Sequence, residues 1–522
     1  MDKSTLSNYG WIVIVTLVLA VMLALATPFG TFVGKGASNV IKTFVQSSDN
    51  AVDENNIDVQ SQKWDEYLNE GKEVVTNFTL QEIEKNNNIF PIGKNKPEYV
   101  VAVFNDNFTS VTIYKNGTKS DGIMADFMDV DGDCINSSPM FLHKATLKSV
   151  VVENGVVNIS KGAISNVDYN TEEIGVISSV KLSDSIAVID DAGLSNVLCE
   201  TIKLPNNLTR INQYALAFCP NLKAVEMSDA VTVIERSAFD ECKKLEDINL
   251  SKNLTEIGNA CFYNCVSLKN IVLPNTLKNI GAHAFSSCKM FTELTIPDSI
   301  TEIQGYTFNG CCKLSKVQLP SKLTTIKEHA FANCEELDNL VIPSTVKEIG
   351  ESAFHRCLKL SSIVIPNGIT VINDGAFWMC ESLKEITLPD NLNIIGTLSF
   401  ADCTSMENIV IPKSVTVIES AAFSGCESLT AITIPDNVKV LNNGTLNGCK
   451  NLKSVTLPNA LTSIDAHVFG YCTNLKTVVI PVSVSSIHVA VFTGNDVTTI
   501  SGVAGSYAQT WANQNDREFV II

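Results

Sequence analysis

Residues 334–360 read CEELDNLVIPSTVKEIGESAFHRCLKL, one pass from Cys334 to Cys357 and on to Leu360. The unit recurs along the chain, and its cysteine marks the period. Cys219, Cys242, Cys265, Cys288, Cys311, Cys334, Cys357, Cys380, Cys403, Cys426, Cys449 and Cys472 stand 23 residues apart without a slip. A fixed period of this size marks stacked supersecondary units, each burying its apolar face only against its neighbours. Such a coil is too short for two packed helices. The chain therefore predicts a solenoid with a large repetitive surface and no pocket built in by default.

The other positions follow from the cysteine. An aromatic stands three residues before it, from Phe239 through Phe331 and Phe354 to Phe492, with Leu216 and Leu446 as exceptions, and a leucine such as Leu337 or Leu360 stands three after it. Ile363 and Ile365, or Ile432 and Ile434, alternate with a solvent-side residue and then meet Pro366 or Pro435. Alternation closed by proline predicts a short strand that ends abruptly. A second apolar pair, Val346 and Ile349 or Val415 and Ile418, precedes the Ala-Phe turn. Stacked at a strand spacing of ~4.8 Å, identical residues form ladders of Phe, Leu, Ile and Cys that constitute the core. Burying one such Phe or Leu contributes about 1.5–3 kcal/mol, whereas a lone coil cannot offset its own chain entropy. Stability belongs to the array.

The pattern I/L-P-x-x-L/V-x-x-I-x-x-x-A-F-x-x-C-x-x-L, complete from Ile342 to Leu360, resembles the BspA-type leucine-rich repeat family of bacterial surface proteins. The resemblance covers residues 145–522 and is carried by a dozen consecutive units. The expected fold is an α/β solenoid of leucine-rich repeats, with 23-residue coils, a parallel β ribbon, short turns or 3-10 segments, and N- and C-terminal caps. Leu147 to Val167 and Ile177 to Val197 read as weaker N-terminal coils, and Asn495 takes the cysteine slot at the far end. Tyr507, Ala508, Trp511 and Ala512 keep helical spacing before the apolar run Phe519 to Ile522, similar to the family's C-terminal cap, which would cover an otherwise exposed edge. The expected organisation is a membrane anchor or signal segment at 1–33, then an amphipathic helix, acidic stalk and helical segment at 34–98. A small β cap at 99–145, the solenoid at 146–500 and the C-terminal cap at 501–522 complete it.

The net charge of −18 excludes a sequence-wide basic surface, so nucleic acid is not an expected partner. Sixteen cysteines would signal disulfides in a small secreted chain, yet twelve occupy one equivalent core position. Neighbouring ladder cysteines would hold their Cβ atoms a strand spacing of ~4.8 Å apart, beyond the ~3.8 Å of a disulfide. Buried free thiols are expected, acting as small hydrophobes with a weak donor. Asn495 in the same slot implies that this donor bonds a neighbouring turn's carbonyl, as an amide would. A one-per-coil stripe does not supply converging metal ligands, and no metal or other cofactor is expected.

The apolar run Trp11 to Val33 is long enough to span a membrane, and its length favours a retained anchor over a signal peptide cleaved near Ala26. Phe29, Val33, Ala37, Val40, Ile41 and Phe44 keep helical spacing beyond it, which a signal peptide does not need. An apolar segment continuing into an amphipathic helix is also similar to pilin-like subunits, although their glycine-then-glutamate processing motif is missing. Basic residues lie on both sides of the run, Lys3 before it and Lys35 and Lys42 after it, so orientation rests on the family resemblance, which places the solenoid outside. Residues 46–62 are polar and acidic and read as a stalk. Trp64, Tyr67, Leu68, Gly71, Val75 and Phe78 then share one helical face, and Tyr99 to Phe104 and Ser110 to Tyr114 read as strands.

No catalytic pattern stands out, and the chain is not expected to be an enzyme. Four of the six histidines precede the Ala/Val-Phe turn at variable positions expected to tolerate the surface. Asp129, Asp131 and Asp133 are spaced as calcium ligands but lack the closing Glu of an EF-hand loop, so a solvated turn is expected. What remains is surface. Val341, Val364, Thr387, Val410 and Thr433 form the candidate binding face, the outward side of the strand ribbon, flanked by residues such as Glu293, Lys316 and Glu385. The family resemblance implies adherence to an extracellular protein or cell-surface ligand, with membrane attachment through the N-terminal helix. The alternatives are a structural subunit assembling through that helix, or an enzyme with an unrecognised site in residues 46–145.

Overall fold

Two short strands form in most coils because β-branched and apolar residues alternate there, and each is stopped by a turn. The first carries the ribbon, as in Ser362–Val364 and Glu385–Thr387, and the second is a residue pair such as Val371–Ile372 and Ile394–Ile395. Every pairing between coils is parallel and joins a residue to its equivalent one coil on, Ile363 to Ile386 and Ile372 to Ile395. The result, in a computed structural model that describes residues 75–127, 139–165, 175–269, 271–495 and 498–522, is a parallel-strand solenoid. All of these residues belong to the unit Tyr67–Ile522.

Helix is sparse. Among the described residues it is confined to α1 (Leu80–Lys85), α2 (Pro139–Leu142), α3 (Tyr507–Gln514) and the 3-10 turn Pro97–Tyr99. The rest of each coil returns through a chain of turns with alternating bonding. His329, Phe331 and Asn333 donate their N–H groups to the next coil's Glu351, Ala353 and His355 carbonyls at 2.9, 2.9 and 2.7 Å. Ala330, Ala332 and Cys334 instead close local turns onto Lys327, His329 and Phe331. His329 and Asn333 accordingly adopt left-handed backbone, with φ of 51° and 58°. No three consecutive residues of this segment bond as a helix does.

Inside this frame the rings of Phe239, Phe262, Phe285, Phe308, Phe331 and Phe354 stack in series with centroids 5.3, 5.4, 5.8, 5.4 and 5.7 Å apart. All twelve ladder cysteines are fully buried, and the fifteen described cysteines are free. Each thiol meets a carbonyl of the preceding coil: Cys357 Sγ lies 3.3 Å from Phe331 O and Cys380 Sγ 3.2 Å from Phe354 O. At the end of the series Asn495 donates its amide to Cys472 O at 2.9 Å. Burial pushes the Cys380, Cys426 and Cys472 thiols up to about 12, which leaves them protonated and unreactive at neutral pH.

At the N-terminal end, β1 (Val75–Thr76), β2 (Ile89–Pro91), β3 (Val100–Phe104) and β4 (Ser110–Asn116) build a small sheet that runs on into the solenoid. β2, β3 and β4 are antiparallel, and β4 then pairs in parallel with Ser149–Val152 of the first coil. Val75 was expected on a helical face ending at Phe78; instead Val75 and Thr76 pair with Lys115 and Asn116. Their β-branching favours the strand, and the helix starts later, where Thr79 and Glu82 form a reciprocal capping box. At the other end α3 buries Ala508, Trp511 and Ala512, and Phe519–Ile521 adds a last parallel strand. Among the described residues no helix is long and apolar enough to cross a membrane. The Trp11 to Val33 run, the segment 34–74, the Asp129 to Asp133 turn and Val167 lie outside the described residues.

Phe331→Ala should cost roughly 3–5 kcal/mol, because neighbouring rings cannot collapse into the gap without breaking register. Cys334→Ala should cost about 1 kcal/mol, the loss of one weak bond and little volume. Denaturant unfolding separates the two, and equal losses would overturn this account of the ladder. A maleimide reagent should label few cysteines in the native protein and most of the sixteen after unfolding without reductant; thiols still blocked after unfolding would establish disulfides.

Candidate binding face

The ribbon strand turns one residue in and its neighbours out. Ile363 is buried in the core while Val364 is 63% exposed, and Thr295, Thr387, Thr433 and Thr456 occupy the same outward slot. Val341 and Val410 share it, so all five candidate residues lie on the exposed side of successive coils. Beside them runs a charged row in which Lys223 meets Glu200 at 3.0 Å and Lys269 meets Glu246 at 2.9 Å. Exposed pairs of this kind contribute little stability and leave the row close to neutral.

The face is not uniform. Val272, Val341 and Val410, each three coils from the next, are 85, 79 and 83% exposed, more than any other large apolar side chain described. Each sits in a matching string: NIVLP at 270–274, NLVIP at 339–343 and NIVIP at 408–412. Residues 340–341 and 409–410 form no strand, whereas the coils before, between and after them pair two by two, Glu293–Thr295 with Lys316–Gln318, Ser362–Val364 with Glu385–Thr387 and Ala431–Thr433 with Ser454–Thr456. At the central break Asn339 is left-handed, with φ of 51°, and turns both its N–H and its Nδ2 onto the Asp338 carboxylate at 2.8 and 2.7 Å. That carboxylate also accepts from Ser361 Oγ at 2.7 Å, so a local side-chain network replaces the ladder there. A one-coil reading misses this superperiod; comparing every third coil reveals it.

Of the four histidines before the turn, His488 is exposed as expected, whereas His283 and His329 are drawn into a stack. His283, Tyr306 and His329 stack as a column with centroids 4.5 Å apart, and all three are half-buried. His355 is buried against Trp378 at 4.6 Å, and the Trp378 Nε1 donates to Asp402 at 3.1 Å. Burial, aided by the Arg356 charge, pulls His355 down to about 4. Stacking follows from the repeat, which places equivalent slots directly over one another. Among the described residues no three His, Cys, Asp or Glu side chains gather to hold a metal ion.

Two acids are out of the ordinary. Asp240 is buried, its Oδ1 has no hydrogen-bond partner, and burial with the neighbouring Glu241 charge raises its carboxyl to about 7. Asp190 is raised to about 6, first by burial and then by Asp126 and Asp191.

The profile of the BspA-type leucine-rich repeat region matches residues 137–268, 255–384 and 370–499. Among solved structures, a leucine-rich repeat protein from Bacteroides ovatus is 24% identical, over 62% of this chain and 92% of that one, with a TM-score of 0.48. A leucine-rich cell surface protein from Faecalibacterium prausnitzii is 22% identical, over 75% and 93%, with a TM-score of 0.36. The pneumococcal vaccine antigen PcpA is 18% identical, over 83% and 98%, with a TM-score of 0.42. Comparison with curated proteins gives no match.

The raised acids set a pH dependence. A carboxyl whose folded pKa lies above its unfolded value favours folding when protonated, so its contribution is complete below about 4 and is lost as pH rises through about 7 for Asp240. Asp240→Asn should therefore stabilise the protein by roughly 1–3 kcal/mol at pH 8 and leave it nearly unchanged at pH 4. Equal effects at the two pH values in thermal or denaturant unfolding would remove Asp240 from this role.

Proposed function

We propose, from the premise that this chain belongs to the BspA-type leucine-rich repeat family, that it is a surface-displayed binding protein whose β ribbon engages an extracellular protein or cell-surface ligand. The observation that carries this reading is the row of outward β-branched side chains, with three valines almost wholly in solvent. An apolar side chain held out repeatedly at equivalent positions is a contact feature, whereas scattered single ones need no explanation. The ribbon lacks Trp, Tyr and Arg anchors in its outward slot, so affinity comes from many modest contacts spread over several coils. The apolar run Trp11 to Val33 supplies the membrane anchor in this reading, with the solenoid outside the cell.

Protease added to intact cells should remove the solenoid while sparing a cytoplasmic marker; complete protection would defeat the surface assignment. Val341, Val364 and Thr387 replaced together by Lys should reduce binding at least a hundredfold with the unfolding midpoint unchanged, because all three side chains are exposed. The measurement uses surface proteins captured by the unmodified chain and then titrated against both forms. Unchanged affinity in the triple variant would move the contact off the ribbon.

A further inference from the structure

The corner of the coil that carries the cysteine, from two residues before it to two after it, changes character along the solenoid. In the four coils from Cys242 to Cys311 it presents Lys243, Lys244, Lys289 and Lys313, all exposed, against two acids, the buried Asp240 and the partly buried Glu241. From Cys334 onward Glu335, Glu336, Glu381 and Glu427 stand in the lysine slots, with Asp402 one residue before its cysteine. Three cations stand in that second stretch, Arg356, Lys359 and Lys450, of which Arg356 pairs with Glu335 at 3.5 Å and Lys450 with Glu427 at 2.7 Å.

The basic stretch thus runs from Lys243 to Lys313 and gives way to acid within one coil. Tyr263 and Met290, 37 and 38% exposed, lie within it, and Phe218, 40% exposed, lies one coil before it. The side chains are laid one over the next: Lys244 Nζ reaches Asn221 Oδ1 at 2.8 Å and Lys313 Nζ reaches Met290 Sδ at 3.4 Å. Lys243 pairs with Glu241 at 2.8 Å, whereas Lys289 and Lys313 form no ion pair among the described residues.

We propose that this corner binds an anionic polysaccharide, a chain of sulfated or carboxylated sugars lying along the solenoid axis. Three coil steps at ~4.8 Å make a strip ~14 Å long, with two lysines on its first coil, none on the Cys265 coil and one on each of the last two, a footprint for a narrow chain. A flat anionic membrane does not fit it. At a Debye length of ~8 Å such a surface would also feel Glu335 and Glu336 on the next coil, and the net charge of −18 behind them. Phe218 and Tyr263, 40 and 37% exposed, offer apolar surface on which sugar C–H faces can pack. Asn221, Asn264, Ser267 and Ser287 stand among the lysines and supply short uncharged donors and acceptors, which suit a hydroxyl-rich chain better than an acidic peptide. The site is separate from the ribbon and does not depend on it.

Heparin fragments titrated against the full chain provide the probe, with neutral dextran, polyglutamate and phosphatidylserine vesicles as comparators. Heparin should bind with an affinity that falls steeply with salt, and dextran should not bind. The double variant Lys289→Glu and Lys313→Glu should weaken heparin at least tenfold and flatten the salt dependence. The remote double variant Lys450→Glu and Lys453→Glu should bind heparin as the unmodified chain does, and both should keep its unfolding midpoint. Absence of heparin binding at low salt, or equal loss in the remote variant, would overturn the proposal. Polyglutamate or vesicles bound as tightly as heparin would overturn it as well, by assigning the corner to acidic protein or lipid.

Discussion

Everything in the solenoid depends on register: each coil must lay its ring over the next ring and its turn carbonyl under the next coil's donor, in a place water does not reach. The Phe331 carbonyl accepts the N–H of Cys334 at 3.2 Å from its own coil and the thiol of Cys357 at 3.3 Å from the next. Phe308 and Phe354 repeat the arrangement. The backbone N–H of its own coil already partners this carbonyl, so the thiol adds a second, weak bond worth about 1 kcal/mol, and the slot favours a residue small enough to lie beside stacked rings that still carries a donor. Cysteine meets both conditions, and its S–H leaves no strong acceptor behind. Asn495 also bonds the preceding coil, through Cys472 O at 2.9 Å and, at 3.5 Å, the Phe469 O equivalent to the thiols' acceptor, but leaves its Oδ1 without a partner, a defect that occurs in this slot once, at the end of the series.

The core was legible because its constraint acts on residue identity. A ring, a small donor and a leucine at fixed offsets can be read directly, and the strands follow from alternation closed by proline. The left-handed residues were not legible. They include His329, Tyr306, Leu398 and Gly375, which share no chemical type, so no glycine signature marks the slot. Their conformation is imposed by bonds to the next coil, a collective property of the stack. The histidine column follows from that conformation and was hidden with it. The three-coil recurrence of Asn270, Asn339 and Asn408 was present in the letters, but a reading tuned to one coil averages it into noise.

The candidate face was legible only as an outward slot. Alternation says which residues point out; it does not say how far. Val341 and Val364 differ in exposure, 79 against 63%, because one sits where the ladder is broken and the other within a paired strand. The side-chain network at Asp338 and Asn339 thus converts a sequence difference beside the valine into a difference in how far it protrudes. Pattern alone could not reach that step, since it depends on which of two competing bonds the backbone makes.

Separating core from surface in this way lets the two outward faces vary independently. Each coil contributes the same buried slots, so exchanging a lysine for a glutamate after the cysteine leaves the ring, thiol and leucine of that coil in place. The change from Lys313 to Glu336 across one coil, with Phe308 and Phe331 stacked undisturbed beneath it, is an instance within this chain. Such a reversal acts on one coil and its two neighbours. A solenoid therefore carries distinct charge patterns along one corner and distinct apolar spacing along its ribbon, both resting on a core that repeats unchanged.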